Sequence, residues 1–415
     1  MKPPTIRILT VIVILFIQCG RDPSGEFLEE LLYKHMDIFQ EILDHPEKYQ
    51  LQILYSRIER DRHNHPHLTT FRYRIDPGEY FYPASMVKLP VALLALEKIN
   101  NLKITGLTKF SEMITDSAYY GQSRMMVDSS AESYKPSVAH YIKKIFLVSD
   151  NDAFNRLYEF LGQEYINETL HWKGYEHARI THRLSIPLTP EENRHTNPIR
   201  FYNEDHQLLY QQDLTHADND FNPEQKILLG DGYISNDSLI DKPMDFSSKN
   251  FIPLEELHQM LISVIFPQQV GDRNRFNLTN EDRMFLLKYM SMYPRESDDP
   301  NYGDKYEDNY CKFLIFGDQN GTIPGNIRIF NKIGLAYGFL VETAYVVDFD
   351  AKVEFFLSAV IHVNKNRIYN DGVYEYDSIG FPFMGNLGRM IYQYEKNRKK
   401  AFVPDLSELD VTEEP

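Results

Sequence analysis

Apolar residues recur along this chain with two periods, and the order in which those periods appear sets out a fold. The stretch "FLEELLYKHMDIFQEILDHP" (27–46) repeats its apolar positions every three to four residues, as an amphipathic helix does. Two stretches of alternating character follow, "YQLQILYSRIERD" and "LTTFRYRIDPGEYF", joined by the polar "RHNHPHL", and this pattern predicts a hairpin. Helical periodicity runs from Ser85 to about Leu170, including "SVAHYIKKIFLV" and "NDAFNRLYEFLGQEYINETLHWKG". Near the C-terminus "AYVVDFDAKVEFFLSAVIHVN" alternates again about the turn "DFDAK", and "NLGRMIYQYEKNRKK" predicts a last helix.

Strands at both ends with helices between them predict an α+β fold. In it, one antiparallel sheet is formed from both chain ends and flanked by helices, with a helical subdomain. The text turns polar, with Gly, Pro, Asn and Asp, from Asn197 to Arg275 and again from Glu296 to Asn309. The expectation is therefore one domain over 20–415 with an insertion at about 197–275, and no internal repeat is found.

Composition narrows the function classes. With 415 residues, 42% of them hydrophobic, a substantial core can be buried, and a formal charge of −16 removes the attraction to phosphate backbones on which nucleic-acid binding rests. The first twenty residues carry Lys2 and Arg7 before the apolar run "ILTVIVILFI", ten residues long where a spanning helix needs about 20. With Gln18-Cys19-Gly20 directly after it, residues 1–19 read as a lipoprotein-type signal, with export to the cell envelope and a lipid anchor at Cys19 as the only membrane attachment. Only Cys311 remains beyond Cys19, so the mature chain can form no internal disulfide.

The chemistry-bearing candidates begin in "YPASMVKLPVALLALEKIN", where Ser85 and Lys88 stand three apart at the mouth of an apolar helix. Positions i and i+3 share a helix face, so hydroxyl and amine can meet, and a lysine kept partly neutral by burial or a second cation can take a serine proton. The same pattern also describes an N-terminal serine beside a solvated lysine. Two further motifs decide between these readings: Ser149-Asp150-Asn151 in "FLVSDNDAFNRL" and Lys332-Ile333-Gly334 in "FNKIGLAYG".

With these three ordered motifs the chain resembles the serine β-lactamase and penicillin-recognising family, class A branch. The resemblance covers most of the mature chain except the 197–275 segment. It implies that Ser85 is the acylated nucleophile and Lys88 its proton acceptor. Ser149 would pass a proton to the leaving nitrogen, and Asn151 would hold a substrate amide. Lys332 would supply positive charge, Gly334 would let substrate approach the strand, and the N–H of Leu335 would pair with that of Ser85 as an oxyanion hole. It implies a monomeric serine hydrolase that opens β-lactam amides or binds peptidoglycan-derived peptides, with no cofactor and no metal. The alternative is a lipid-anchored penicillin-binding or peptide-binding protein with little turnover.

Two departures stand out. Ile333 replaces the family's usual hydroxyl residue, which weakens carboxylate recognition. After His182-Arg183, where a water-activating glutamate is expected, the chain has Leu184 and Ser185; Glu191 and Glu192 lie further on. His63, His65 and His67 read as a solvated turn, and "ESDDPNYGDKYEDNY" as a solvated acidic loop.

Overall fold

A computed structural model describes residues 23–119 and 122–411. The expected signal segment and Cys19 lie outside the described residues.

The N-terminal amphipathic stretch forms two helices, α1 (Pro23–Tyr33) and α2 (Met36–Asp44), and the predicted hairpin follows as β1 (Gln52–Arg60) and β2 (Pro66–Tyr73). A short 3₁₀ turn, Ala84–Val87, carries Ser85 directly into α3 (Lys88–Leu102). The helical periodicity expected through to Leu170 is interrupted. Lys103 takes a left-handed backbone at the end of α3, and the described residues of 103–137 are loops with one strand, β3 (Glu112–Thr115). Gly106, Pro136 and the intervening Ser, Thr and Asp residues stop the helix there. Helices resume with α4 (Val138–Val148), α5 (Asn151–Leu161) and α6 (Gln163–Trp172), the last two divided at Gly162, whose φ is 82°.

The segment expected as an insertion, 197–275, is of two kinds. After α7 (Pro190–Arg194), residues 195–245 supply the short strands β4 (His195–Thr196), β5 (Ile199–Tyr202), β6 (Leu208–Gln212), β7 (Thr215–His216), β8 (Leu228–Leu229), β9 (Gly232–Ser235), β10 (Ser238–Ile240) and β11 (Met244–Asp245). These pair in small sheets, and Ile199 and Phe201 of β5 reach the main core. Leu254–Ile265, by contrast, is a helix, α8, whose Leu257, Leu261 and Val264 are buried in the main core. That helix belongs to the core and not to the polar excursion; the surrounding Asn, Asp and Ser residues masked its period. The helix α9 (Asn280–Ser291) is followed by the long strands β12 (Ile327–Ala336), β13 (Phe339–Asp348) and β14 (Val353–His362), then β15 (Ile368–Tyr369) and α10 (Phe381–Asn397).

The central sheet runs β12-β13-β14-β1-β2, all antiparallel, so the N-terminal hairpin is joined to the C-terminal strands. Side chains of a strand alternate between faces, and here both faces are covered. Phe339, Val341 and Tyr345 of β13 join the core with α3, α4, α5 and α8, while Leu340, Ala344 and Val346 join the one with α1, α2 and α10. This is the discontinuous α+β sheet expected from the hydrophobic pattern. Its β12 edge lies beside the turn that carries Ser85.

Candidate active site

Three chain segments converge at that edge. Ala84, immediately before Ser85, has φ 47°. A non-glycine residue held there costs on the order of 1–3 kcal/mol, and the surrounding core, with Met86 and Val87 fully buried, enforces it. Ser85 is thereby presented at the start of α3, and Lys88 lies one turn on.

The Lys88 amine is fully buried and sits 2.7 Å from Ser85 Oγ, 2.6 Å from Asn151 Oδ1 and 2.5 Å from the Ser149 carbonyl oxygen. Burial, and then the charge of Lys332, push its pKa well below the usual lysine range. In the neutral form its two N–H groups can donate to Asn151 and the Ser149 carbonyl, which leaves the lone pair directed at the Ser85 hydroxyl. The arrangement thus allows an amine lone pair to face a serine hydroxyl at hydrogen-bond distance.

The joint between α4 and α5 supplies these acceptors. Ser149 ends α4 with a left-handed backbone, φ 56°, which turns both its carbonyl and its hydroxyl toward Lys88. Asp150 caps α5 by accepting from the Ala153 N–H at 2.8 Å, so the capping reading of the motif is also correct, for its middle residue. Ser149 Oγ lies 3.2 Å from the Lys88 amine and accepts from that of Lys332 at 2.8 Å. It is a hydroxyl bridging two amines, and burial brings the Lys332 pKa down to about 8.

Asn151 was expected to hold a substrate amide. In the structure its carbonyl is bound to Lys88, and its amide donates to Ser185 Oγ at 2.7 Å, so here it holds the Lys88 amine and the loop together. Gly334 also has a reason other than substrate access. A Cβ there would lie 2.3 Å from the Pro83 carbonyl oxygen and 3.0 Å from Met86 Cγ. Only glycine lets β12 approach the serine-bearing turn this closely.

That approach sets up Leu335. The two-residue turn Tyr337-Gly338, both with positive φ, closes the β12–β13 hairpin on the pair Ala336–Phe339. Hydrogen-bonded and non-hydrogen-bonded pairs alternate from there, which leaves Leu335, opposite Leu340, with its N–H directed outward from the sheet edge. Ile333, two residues back, has the same phase, and its outward carbonyl accepts from Lys332 at 2.9 Å.

A cleft of about 430 Å³ opens over these groups. Ser85, Ser149, Asn151, Ile333 and Leu335 line it, as do Asn309, Tyr310, Phe313 and Asp377, none of which the motifs point to. The acidic stretch expected to be a solvated loop therefore ends in the cleft wall. Its anchor lies behind β12. The buried Glu342 carboxylate accepts from the N–H groups of Phe313 and Leu314 at 3.0 and 2.7 Å, and the Asn331 amide donates to the Cys311 carbonyl at 2.7 Å. The Lys312 amine donates to Asn331 Oδ1 at 2.5 Å, closing the network. The cue in the sequence was a charged residue, Glu342, in the middle of a strand that is mostly apolar.

The loop after α6 explains the missing glutamate. Arg183 forms a buried ion pair with Glu159 at 2.8 Å, and Asn155 of α5 holds both backbone groups of Leu184. The Leu184 side chain is buried in the core. Ser185, with φ 56°, then meets Asn151. Glu192 completes a capping box with Thr189 at the start of α7, and Glu191 is bonded to His195 and His216. Among the described residues, no carboxylate has taken the expected place.

Fold and site together bring a serine hydroxyl against a buried lysine amine beside the edge of an antiparallel sheet. Residues 54–219, which include Ser85, Lys88, Ser149 and Asn151, match the model of the beta-lactamase enzyme family. Among solved structures the chain is similar to a beta-lactamase from Sphaerobacter thermophilus DSM 20745 at 10% identity, with 87% of this chain and 96% of that chain covered and a TM-score of 0.46. It is similar to a class A beta-lactamase from Clostridium kluyveri DSM 555 at 13% identity, with 86% and 98% covered and a TM-score of 0.46. A PBP-A mutant, solved as an acyl-enzyme complex with penicillin G, is similar at 14% identity, with 88% and 96% covered and a TM-score of 0.44. No curated protein matches the chain.

Proposed function

We propose that the protein is a serine acyl-transfer enzyme of the cell envelope that opens β-lactam amides, or the amides of peptidoglycan-like peptides, through an ester on Ser85, and that it releases this ester slowly. The observation that carries the reading is the buried Lys88 amine 2.7 Å from Ser85 Oγ, with its donors already engaged elsewhere. Lys88 takes the hydroxyl proton as Ser85 Oγ attacks the amide carbon. The N–H groups of Ser85 and Leu335 receive the oxyanion, and Ser149 relays the proton to the departing nitrogen. Hydrolysis of the ester then needs an activated water. The residue in reach of Asn151 on the loop is Ser185, a hydroxyl and not a carboxylate, and this supports accumulation of the acyl-enzyme.

Intact mass after incubation with a penicillin tests the assignment. The wild type should gain the mass of the bound drug and Ser85→Ala should not; labelling that survived the alanine change would remove Ser85 from the mechanism.

The cleft also bears on substrate choice. Among the described residues that line it none is Arg or Lys, Asp377 contributes a carboxylate, and Ile333 offers no hydroxyl. Recognition of a substrate carboxylate should therefore be weak. A hydrogen bond to a charged group contributes about 1.5–3 kcal/mol, so Ile333→Thr should raise penicillin acylation about 10-fold or more. An unchanged second-order rate constant would show that the carboxylate is held elsewhere.

A further inference from the structure

We propose that Glu191, His195 and His216 form a binding site for a divalent transition-metal ion of the zinc type, one that ties down the loop bearing Ser185. The two histidines are 21 residues apart in sequence, but the β4–β7 pairing sets His195 directly across from His216, with ring centroids 4.5 Å apart. Glu191 stands one helical turn before His195, and its Oε1 lies 3.2 Å from the Nε2 of each histidine. The three donor atoms all lie within 4.8 Å of one another.

Both distances fit a shared ion. Zinc binds imidazole nitrogen and carboxylate oxygen at about 2.0–2.2 Å in tetrahedral geometry, which places neighbouring donors roughly 3.3–3.5 Å apart. The surroundings orient the rings as metal ligands are oriented. The second nitrogen of His216, Nδ1, faces Asp218 Oδ1 at 3.1 Å, the outer carboxylate that commonly fixes a metal-bound imidazole. The His195 ring is stacked on Tyr119 with centroids 3.9 Å apart and planes within 10°. The Nε2 of each histidine thus faces one and the same Glu191 oxygen, which sets the three donors a shared ion would need around one point. Glu191 is exposed and His216 half-exposed, so an ion can enter and a water can complete the coordination. The ion would join α7 to the β4–β7 pair, a few residues beyond the Ser185–Asn151 contact. This proposal is independent of the acyl-enzyme chemistry.

Chelator-stripped, untagged protein titrated with Zn(II) against a competing dye, and with Co(II) as a spectroscopic probe, provides the test. The wild type should take up one equivalent, show the visible absorption of four-coordinate Co(II), and unfold at a higher temperature with Zn(II) than without it. Glu191→Gln and His216→Ala should abolish all three effects, and Asp218→Asn, on an exposed side chain, should weaken affinity by about 10- to 100-fold. Normal unfolding curves for the metal-free variants would separate ligand loss from misfolding, and Asp218→Asn gives a graded readout if a ligand variant does not fold. Absence of uptake by the wild type would reduce the cluster to a hydrogen-bonded one. Uptake that persisted in His195→Ala and His216→Ala but vanished on replacing His63, His65 and His67 would move the metal to the β1–β2 turn; either result overturns the proposal.

Discussion

Replacing Lys88 with arginine should slow acylation of Ser85 by about 100-fold or more, the size of a lost general base. A guanidinium keeps its proton at any working pH, so it can hold Ser149 and Asn151 by hydrogen bonds but cannot accept from Ser85. In the wild type, burial and the neighbouring Lys332 charge lower the Lys88 pKa, so its neutral form is populated below the usual lysine range. Acylation should therefore decline as pH falls through that lowered value and hold steady above it. Lys332→Met removes the cation that depresses Lys88, so the limb should move to higher pH. Acylation time courses by mass spectrometry across pH measure both effects. An arginine variant as fast as the wild type would leave Lys88 as a counter-charge only.

The second large effect concerns release of the ester. A carboxylate at position 185 would enter a network already in place, because Ser185 Oγ is 2.7 Å from Asn151, which is 2.6 Å from the Lys88 amine. Ser185→Glu should accelerate deacylation by about 100- to 10,000-fold, the usual contribution of a positioned base, with acylation little changed. Glu192→Gln should alter neither step, since that carboxylate is occupied by the Thr189 N–H and hydroxyl at 2.7 and 2.8 Å. Decay of the penicillin adduct after removal of free drug is the measurement. Rapid turnover by the wild type, unaffected by Glu191 and Glu192 substitutions, would mean that Lys88 serves both half-reactions.

The parts of the site legible in the sequence were those in which residue type and short spacing carry the chemistry. Ser85 and Lys88 meet because a helical turn brings i and i+3 together, whereas the approach of Ser149, Asn151 and Lys332 to that pair was implied by the family resemblance and not by any spacing. The sheet was legible for a similar reason, since alternation along β1, β13 and β14 marks buried strands wherever they pair. What could not be read depends on tertiary approach. The need for glycine at 334 comes from the Pro83 carbonyl, a contact between segments some 250 residues apart. Asn309 and Tyr310 reach the cleft because Glu342 and Asn331 grip the chain just beyond them, and no local period signals such an anchor. His195 and His216 sit at a separation that matches no ligand motif, and only the β4–β7 register brings them together.

The strand order also governs when this protein can fold. β1 is the fourth strand of the central sheet and pairs Gln52 with Val360, so its inner neighbour is made only long after it. Contacts of such long sequence separation form slowly, because closing the intervening loop must precede any gain from the pairing. Through most of its synthesis the growing chain has the β1–β2 hairpin but neither β12, β13 nor β14 to complete the sheet. The inner edge of β1 therefore stays uncovered until its C-terminal partners have been made, and only then can the two halves of the core be joined across one sheet.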